Sequence, residues 1–145
     1  MNVIIFGSGS IAEKHLQNCL KLNINVFILT KSLKRKKKLI RKYKKIIFID
    51  DLKSIKSDFF SFGIIANQTF EHLKYIKFLS QKKINIYCEK PISNKSKNLK
   101  FLEDKIKKNR IIFLSGYQLL EDPIIKAIKN KIKGEKINSF NFRVG

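Results

Sequence analysis

Short apolar runs alternate with amphipathic stretches along the chain. Asn2–Phe6 is continuous, rich in β-branched residues and closed by glycine, which predicts a strand. From Ser10 to Leu22, Ile11, His15, Leu16, Cys19 and Leu20 recur at helical spacing, and Ser10 stands where an N-cap belongs. Asn25–Thr30 predicts a second strand. Ser32–Lys45 predicts a basic helix with an apolar face of Leu33, Leu39, Ile40 and Tyr43, and Ile46–Ile49 a third strand. Phe59–Ala66, entered after Asp58, is a fourth strand. Phe70–Lys82 is a helix with Leu73, Ile76, Lys77, Phe78 and Leu79 on one side. Ile84–Cys88 and Arg110–Leu114 are further strands, separated by a lysine-studded helix over Ser96–Lys108 that carries Leu99, Leu102, Lys105 and Ile106. Pro123–Ile132 reads as a last helix, opened by a proline that suits its first position. Beyond Gly134, Lys136–Val144 alternates in part, which predicts a strand. Strand and helix in alternation, with strands apolar on both sides, specify a parallel α/β sheet covered by helices on both faces. The expected fold is a Rossmann-type, doubly wound domain. In such sheets ligands bind beyond the strand C-termini, where strand order reverses.

The residues just after each strand therefore matter most. Gly7-Ser8-Gly9-Ser10-Ile11-Ala12 follows a strand and opens a helix, as a G-x-G-x-x-G/A dinucleotide fingerprint must. Gly7 permits the tight turn, Gly9 lets a pyrophosphate approach the backbone, and Ala12 is small enough for helix-on-strand packing. Free N–H groups and the positive end of the helix dipole complete an anion site. Roughly 20 residues further on, an NAD enzyme usually carries an acid for the ribose 2′-hydroxyl. Here Thr30-Lys31-Ser32 is followed by Leu33-Lys34-Arg35, with hydroxyls and cations in place of a carboxylate, so NADP is favoured over NAD. After the fifth strand, Cys88-Glu89-Lys90-Pro91 places a lysine where it can donate a proton or hydrogen bond to a substrate oxygen. Glu89 stands beside it to tune its pKa, and Pro91 stiffens the turn. Asn67-Gln68-Thr69-Phe70-Glu71-His72 follows the fourth strand, with Thr69 as the expected N-cap. By itself His72 reads as a surface or packing residue, and His15 as a structural residue of the first helix.

Composition sets the outer bounds. The 145 residues suit one domain, and 43% hydrophobic content is enough for a core. No apolar stretch reaches the roughly 18 residues of a spanning helix, so no membrane partner is expected. The start Met1-Asn2-Val3-Ile4 lacks the basic segment and cleavage site of a secretory leader. Two cysteines, Cys19 and Cys88, support neither a disulfide framework nor a zinc cluster, and the expected compartment is the reducing cytoplasm. The net charge of +21 raises the alternative of a basic nucleic-acid-binding protein. Arginine, however, stands only at Arg35, Arg41, Arg110 and Arg143, so lysine makes up the other 28 of 32 basic residues. Readers of phosphate and base edges favour the arginine fork, and the basic stretch from Lys31 to Lys45 offers only Tyr43 for base stacking. Nucleic acid is therefore disfavoured, and a general compositional bias toward lysine explains the charge.

Taken in order, the glycine turn, Ala66-Asn67-x-Thr69-x-x-His72, Glu89-Lys90-Pro91 and Gly116-Tyr117 followed by Pro123 resemble the N-terminal domain of the glucose–fructose oxidoreductase / inositol dehydrogenase / MocA family. The resemblance implies NAD(P)-dependent oxidation or reduction of a hydroxyl or carbonyl on a sugar or cyclitol derivative. It implies that Lys90 is catalytic, orienting or protonating the substrate oxygen, and that Thr69 and His72 border the nicotinamide end of the cofactor. The cofactor-binding set on this basis is Gly7, Ser8, Gly9, Ser10, Ile11, Thr30, Lys31, Ser32, Asn67, Thr69, His72, Glu89, Lys90 and Gln118; no metal is implied. The chain departs from the family pattern at Gln68, often proline, and at Gln118-Leu119-Leu120-Glu121, where the family commonly runs Asn-x-Arg-Phe. Family members also carry a second, antiparallel-sheet domain with much of the substrate pocket, a downstream Asp/His pair and the oligomer face. The expected organisation is a dinucleotide-binding domain over residues 1–120, with 121–145 as a linking helix and the first strand of a missing second domain. By itself such a chain is expected to lack full catalytic competence. Its partners would be a nicotinamide dinucleotide, a sugar-type substrate, and either a separate chain carrying the second domain or a second copy. A non-catalytic nucleotide-binding fragment is the competing alternative.

Overall fold

A computed structural model describes residues 1–96, 99–136, 139 and 141. Six parallel strands lie in the order β3-β2-β1-β4-β5-β6. They are β1 (Asn2–Phe6), β2 (Asn25–Leu29), β3 (Ile46–Ile49), β4 (Phe62–Ile65), β5 (Asn85–Cys88) and β6 (Phe113–Ser115). Five helices connect and follow them: α1 (Ser10–Lys21), α2 (Leu33–Lys42), α3 (Thr69–Gln81), α4 (Leu99–Lys108) and α5 (Pro123–Lys131). The chain runs from β1 outward to β3, then returns to place β4 on the other side of β1. That reversal between β1 and β4 is the switch point at which a doubly wound sheet opens a crevice.

Strand side chains alternate between two buried layers, as the pleat requires. Val3, Ile5, Val26, Ile28 and Ile64 pack against Ala12, Leu16 and Cys19 of α1 and Leu39 of α2. Ile4, Phe6, Phe27, Leu29, Ile65, Ile86 and Cys88 pack on the opposite face against Tyr75, Ile76 and Leu79 of α3 and Leu102 of α4. Both faces are thus covered, which is why the strands read as continuous apolar runs.

Several details differ from the sequence expectation. Ser10 is the first helical residue of α1, whose N-cap is Gly9; Thr69 likewise opens α3, whose N-cap is Gln68. Neither cap donates or accepts through a side chain. Helix α2 is shorter than the lysine run and buries only Leu39, leaving Leu33 and Ile40 exposed. Ile11 and Lys77, placed on buried faces by periodicity, are also exposed, because the sheet reaches a narrower stripe of each helix than the spacing allows. The fourth strand starts at Phe62, since Phe59 and Phe60 turn to pack edge-on against Phe27. A short 3-10 turn over Leu52–Ser54, with Asp51 accepting from the Lys53 N–H, escapes pattern reading altogether. The strand expected over Lys136–Val144 falls mostly outside the described residues, as do 97 and 98 near the expected start of α4.

A polar clasp joins the first two helices. Lys42 Nζ and Tyr43 Oη donate to Glu13 Oε1 at 2.6 and 3.0 Å, and Gln17 donates to Tyr43 Oη at 2.8 Å. Those donors, Lys42 first and Tyr43 next, hold the Glu13 carboxyl below the usual carboxylate range. A carboxyl lowered in the folded state contributes stability above its unfolded pKa and loses it as the pH falls through the folded value. Lys42→Met is therefore expected to lower the urea midpoint at neutral pH and to flatten its decline below about pH 4.3. An unchanged acid limb in that variant would contradict the coupling.

Candidate functional site

The C-terminal ends of the strands surround a cleft of about 830 Å³, within the range of roughly 300–1,000 Å³ typical of small-molecule sites. Its wall is made by Gly7–Ile11 after β1, Leu29 at the end of β2 with Thr30–Ser32 after it, the Ala66–His72 segment with Tyr75 after β4, Glu89 and Lys90 after β5, and Gln118 beyond β6. All fourteen residues expected from the sequence line this one cleft. Leu29, Ala66, Gln68, Phe70, Glu71 and Tyr75 line it as well and stand outside that set of fourteen. All but Tyr75 adjoin a member of the set, and position after a strand end was the available signal.

The two glycines of the turn have opposite surroundings. Gly7 has φ +120°, and a Cβ there would lie 2.7 Å from the Ala66 carbonyl oxygen. Only glycine lets the ends of β1 and β4 approach so closely. A Cβ on Gly9 would meet no atom within 4 Å, so the open space above this residue belongs to the cleft. Helix α1 begins there with no side chain on its first N–H groups, although α2 is capped by Ser32 and α5 by Asp122. An uncapped helix start facing open space is suited to an anion, whose charge the helix dipole favours.

Around this turn the polar groups are tightly organised. Ser8 Oγ and Thr30 Oγ1 share a 2.7 Å hydrogen bond, and the Ser32 N–H donates to Thr30 Oγ1 at 3.2 Å, fixing the end of β2 to the glycine turn. Lys31 Nζ donates to Glu71 Oε1 at 2.9 Å, while Asn67 Nδ2 donates to Glu71 Oε2 at 3.0 Å. Burial pushes the Glu71 carboxyl up, but those two hydrogen bonds together hold it below the usual range. Asn67 Oδ1 is buried without a hydrogen-bond partner, the only such side-chain atom among the described residues. An orphaned acceptor in a cleft wall is costly unless a ligand satisfies it.

At the other end, Glu89 is turned inward. Its Oε1 lies 2.8 Å from His15 Nε2 and accepts from Tyr87 Oη at 3.4 Å, and its Oε2 accepts from the Lys90 N–H at 3.3 Å. Glu89 therefore anchors the Lys90 backbone to α1, its carboxylate meeting His15 and the Lys90 N–H and not the Lys90 ammonium. The contact of Glu89 with Lys90 runs through the main chain and positions it. The Lys90 side chain itself is exposed at the cleft. His72 is 1% exposed, with Nδ1 2.9 Å from the Pro91 carbonyl oxygen and Nε2 3.1 Å from that of Asn67. It works as a strut between the loops after β4 and β5, so its influence on the cleft passes through them. Cys88, 3.5 Å from His72 Nδ1, is pushed up to about 12 by burial and by the Glu89 charge. It stays a thiol at neutral pH, too buried and too weakly acidic to act as a nucleophile.

The comparison with protein families fits this geometry. The model of the glucose–fructose oxidoreductase / inositol dehydrogenase / MocA family, an oxidoreductase family with an NAD-binding Rossmann fold, matches residues 1–117. The chain belongs to this family. No curated protein matches its sequence. Solved structures with the same fold include scyllo-inositol dehydrogenase from Lactobacillus casei with bound NAD(H) and scyllo-inositol, at 16% identity and a TM-score of 0.80, covering 95% of this chain and 42% of that one. UDP-N-acetylglucosamine 3-dehydrogenase from Acidithiobacillus ferrooxidans matches at 14% identity and a TM-score of 0.77, covering 90% and 41%. An NAD-binding protein from Listeria innocua matches at 18% and 0.75, covering 94% and 41%. The oxidoreductase-family chain described here thus spans about two-fifths of the length of these structures. Among the described residues no helix is long and apolar enough to cross a membrane, and no group of three or more His, Cys, Asp or Glu could hold a metal ion.

The contrast between the glycines is testable by stability alone. Gly7→Ala is expected to lose roughly 1–3 kcal/mol through backbone strain, with the Ala66 contact adding to it. Gly9→Ala is expected to leave the thermal midpoint nearly unchanged. Equal losses in the two variants would contradict the assignment of Gly9 to the open cleft.

Proposed function

We propose that this domain binds a nicotinamide dinucleotide and serves an NAD(P)-dependent oxidoreductase acting on a hydroxyl or carbonyl of a sugar or cyclitol derivative. The observation that carries this is the uncapped start of α1, open above Gly9, in the cleft where the sheet order reverses. The residues present fit the cofactor: main-chain N–H groups from Gly9 to Ala12 would face its diphosphate, and the orphaned Asn67 Oδ1 would accept from a ligand donor. When bound, the nicotinamide supplies or accepts the hydride. The protein's part is to orient, to exclude water and to manage the proton.

Lys90 is the group for that last task. Its exposed ammonium reaches the cleft from a turn held on two sides, by Glu89 through the Lys90 N–H and by His72 through the Pro91 carbonyl. From there it would donate a hydrogen bond or proton to the substrate oxygen. Thr69 opens α3 at the cleft, and Gln118 closes the opposite wall. At the end of β2, Thr30, Lys31 and Ser32 bring hydroxyls and a cation to the position of the adenosine ribose, which favours NADP over NAD.

Substrate handling needs more than this surface, because orientation of both reactants is a large part of catalysis. The apolar stripe Ile124, Ile128 and Ile132 at α5 is exposed and α5 buries no residue. That stripe is the surface proposed to meet a second domain, in the same or a separate chain, or a second copy.

Three measurements test these assignments. NADPH is expected to bind more tightly than NADH by fluorescence titration, and equal affinities would refute the role of Thr30–Ser32. Gly9→Val is expected to fold and to lose binding of both nucleotides; retained affinity would refute the diphosphate position. In the complete catalytic assembly, Lys90→Ala is expected to keep nucleotide binding and to lose about 10²–10⁴-fold in turnover; full activity would refute its role.

A further inference from the structure

We infer that Glu71, reaching across the cleft from α3, restrains the preference for a 2′-phosphorylated nucleotide by occupying Lys31, and so sets the nucleotide selectivity of the site. The inference rests on the cofactor-binding assignment made above. The sequence places no carboxylate near the end of β2, but the fold brings one there from 40 residues away. Lys31 Nζ is 2.9 Å from Glu71 Oε1, and the other carboxylate oxygen is held at 3.0 Å by Asn67 Nδ2. Asn67 thereby fixes the carboxylate so that Oε1 faces Lys31. The Glu71 side chain is only 20% exposed, against 74% for Lys31, so the acid is the fixed partner and the lysine the mobile one.

Two consequences follow from simple electrostatics. A 2′-phosphate can use Lys31 only by competing with Glu71 for the same ammonium, and it must approach a like charge to do so. A ribose 2′-hydroxyl carries no charge and meets no such repulsion; a carboxylate is an acceptor for it. Within α2, Lys36 is engaged with Asp50 at 2.7 Å and Lys42 with Glu13 at 2.6 Å, while Lys34 and Arg35 of its first turn are exposed. The Ser32 hydroxyl accepts from the Arg35 N–H at 3.3 Å, and that of Thr30 is bonded to Ser8. Lys31 is the cation of this segment that lines the cleft, and Glu71 is what it must be released from to meet a phosphate.

Glu71→Gln keeps an acceptor for Asn67 and removes the charge. Calorimetric titration of the folded chain with NADPH, NADH and adenosine 2′,5′-bisphosphate should show the NADH-to-NADPH ratio of dissociation constants rising about tenfold over the parent. Adenosine 2′,5′-bisphosphate should gain in parallel over 5′-AMP. Lys31→Met should abolish the preference in both the parent and the Glu71→Gln background. Parent protein that binds both nucleotides, with the same ratio in Glu71→Gln, would overturn the selectivity role and leave the site intact. Parent protein that binds neither would instead refute the cofactor site. If Glu71→Gln failed to fold, the parent's ratio compared with that of Lys31→Met would still decide: no difference between them overturns the inference, since Lys31 would then read no phosphate.

Discussion

Everything at the crevice depends on how closely β1 and β4 approach at their C-terminal ends. A Cβ on Gly7 would press into the Ala66 carbonyl there, so no residue with a Cβ could sit in its place without displacing a strand. The close contact sets the start of α1 down directly at the switch point, with its first N–H groups uncapped and Gly9 opening upward. A helix terminus left without partners costs free energy unless water or a ligand satisfies it. The site is thus a direct consequence of backbone geometry, and the side chains around it refine what it holds.

The refinement is unequal along the cleft. On the β2 side, hydroxyls and the Lys31–Glu71 pair lie where the adenosine half of a dinucleotide would rest. On the β5 side, a turn carrying Lys90 is tied down from within by the Glu89–His15 pair and by the His72 strut. The second arrangement links the glycine-turn helix to the proposed proton donor, since His15 belongs to α1 and Glu89 adjoins Lys90. Its two side chains are largely shielded from solvent, unlike the partners of the ion pairs within α4, which are at least half exposed and contribute little.

Much of this was legible in the sequence. Continuous apolar runs of four to six residues, bounded by turn residues, point to strands of a covered sheet, and their alternation with helical spacing points to a parallel one. The glycine turn and the residues after each strand then mark the cleft without any three-dimensional information. What could not be read were contacts between distant segments. His15 and Glu89 lie 74 residues apart and Lys31 and Glu71 lie 40 apart, and neither pair leaves a periodic trace. His72 has the same composition signal whether it faces a ligand or props two loops apart; only its burial decides. Helix caps were misplaced at Ser10 and Thr69 because both residues are good cap formers, whereas the fold needs these helices to start bare.

The central claim is that a diphosphate rests on the main chain where the first turn meets α1. Amide chemical shifts on adding NADPH or NADH to isotopically labelled protein report that contact residue by residue. The account predicts that the largest changes fall on the amides of Gly9, Ser10, Ile11 and Ala12. Saturable binding that left those four unmoved and shifted the lysine-rich α2 instead would contradict it.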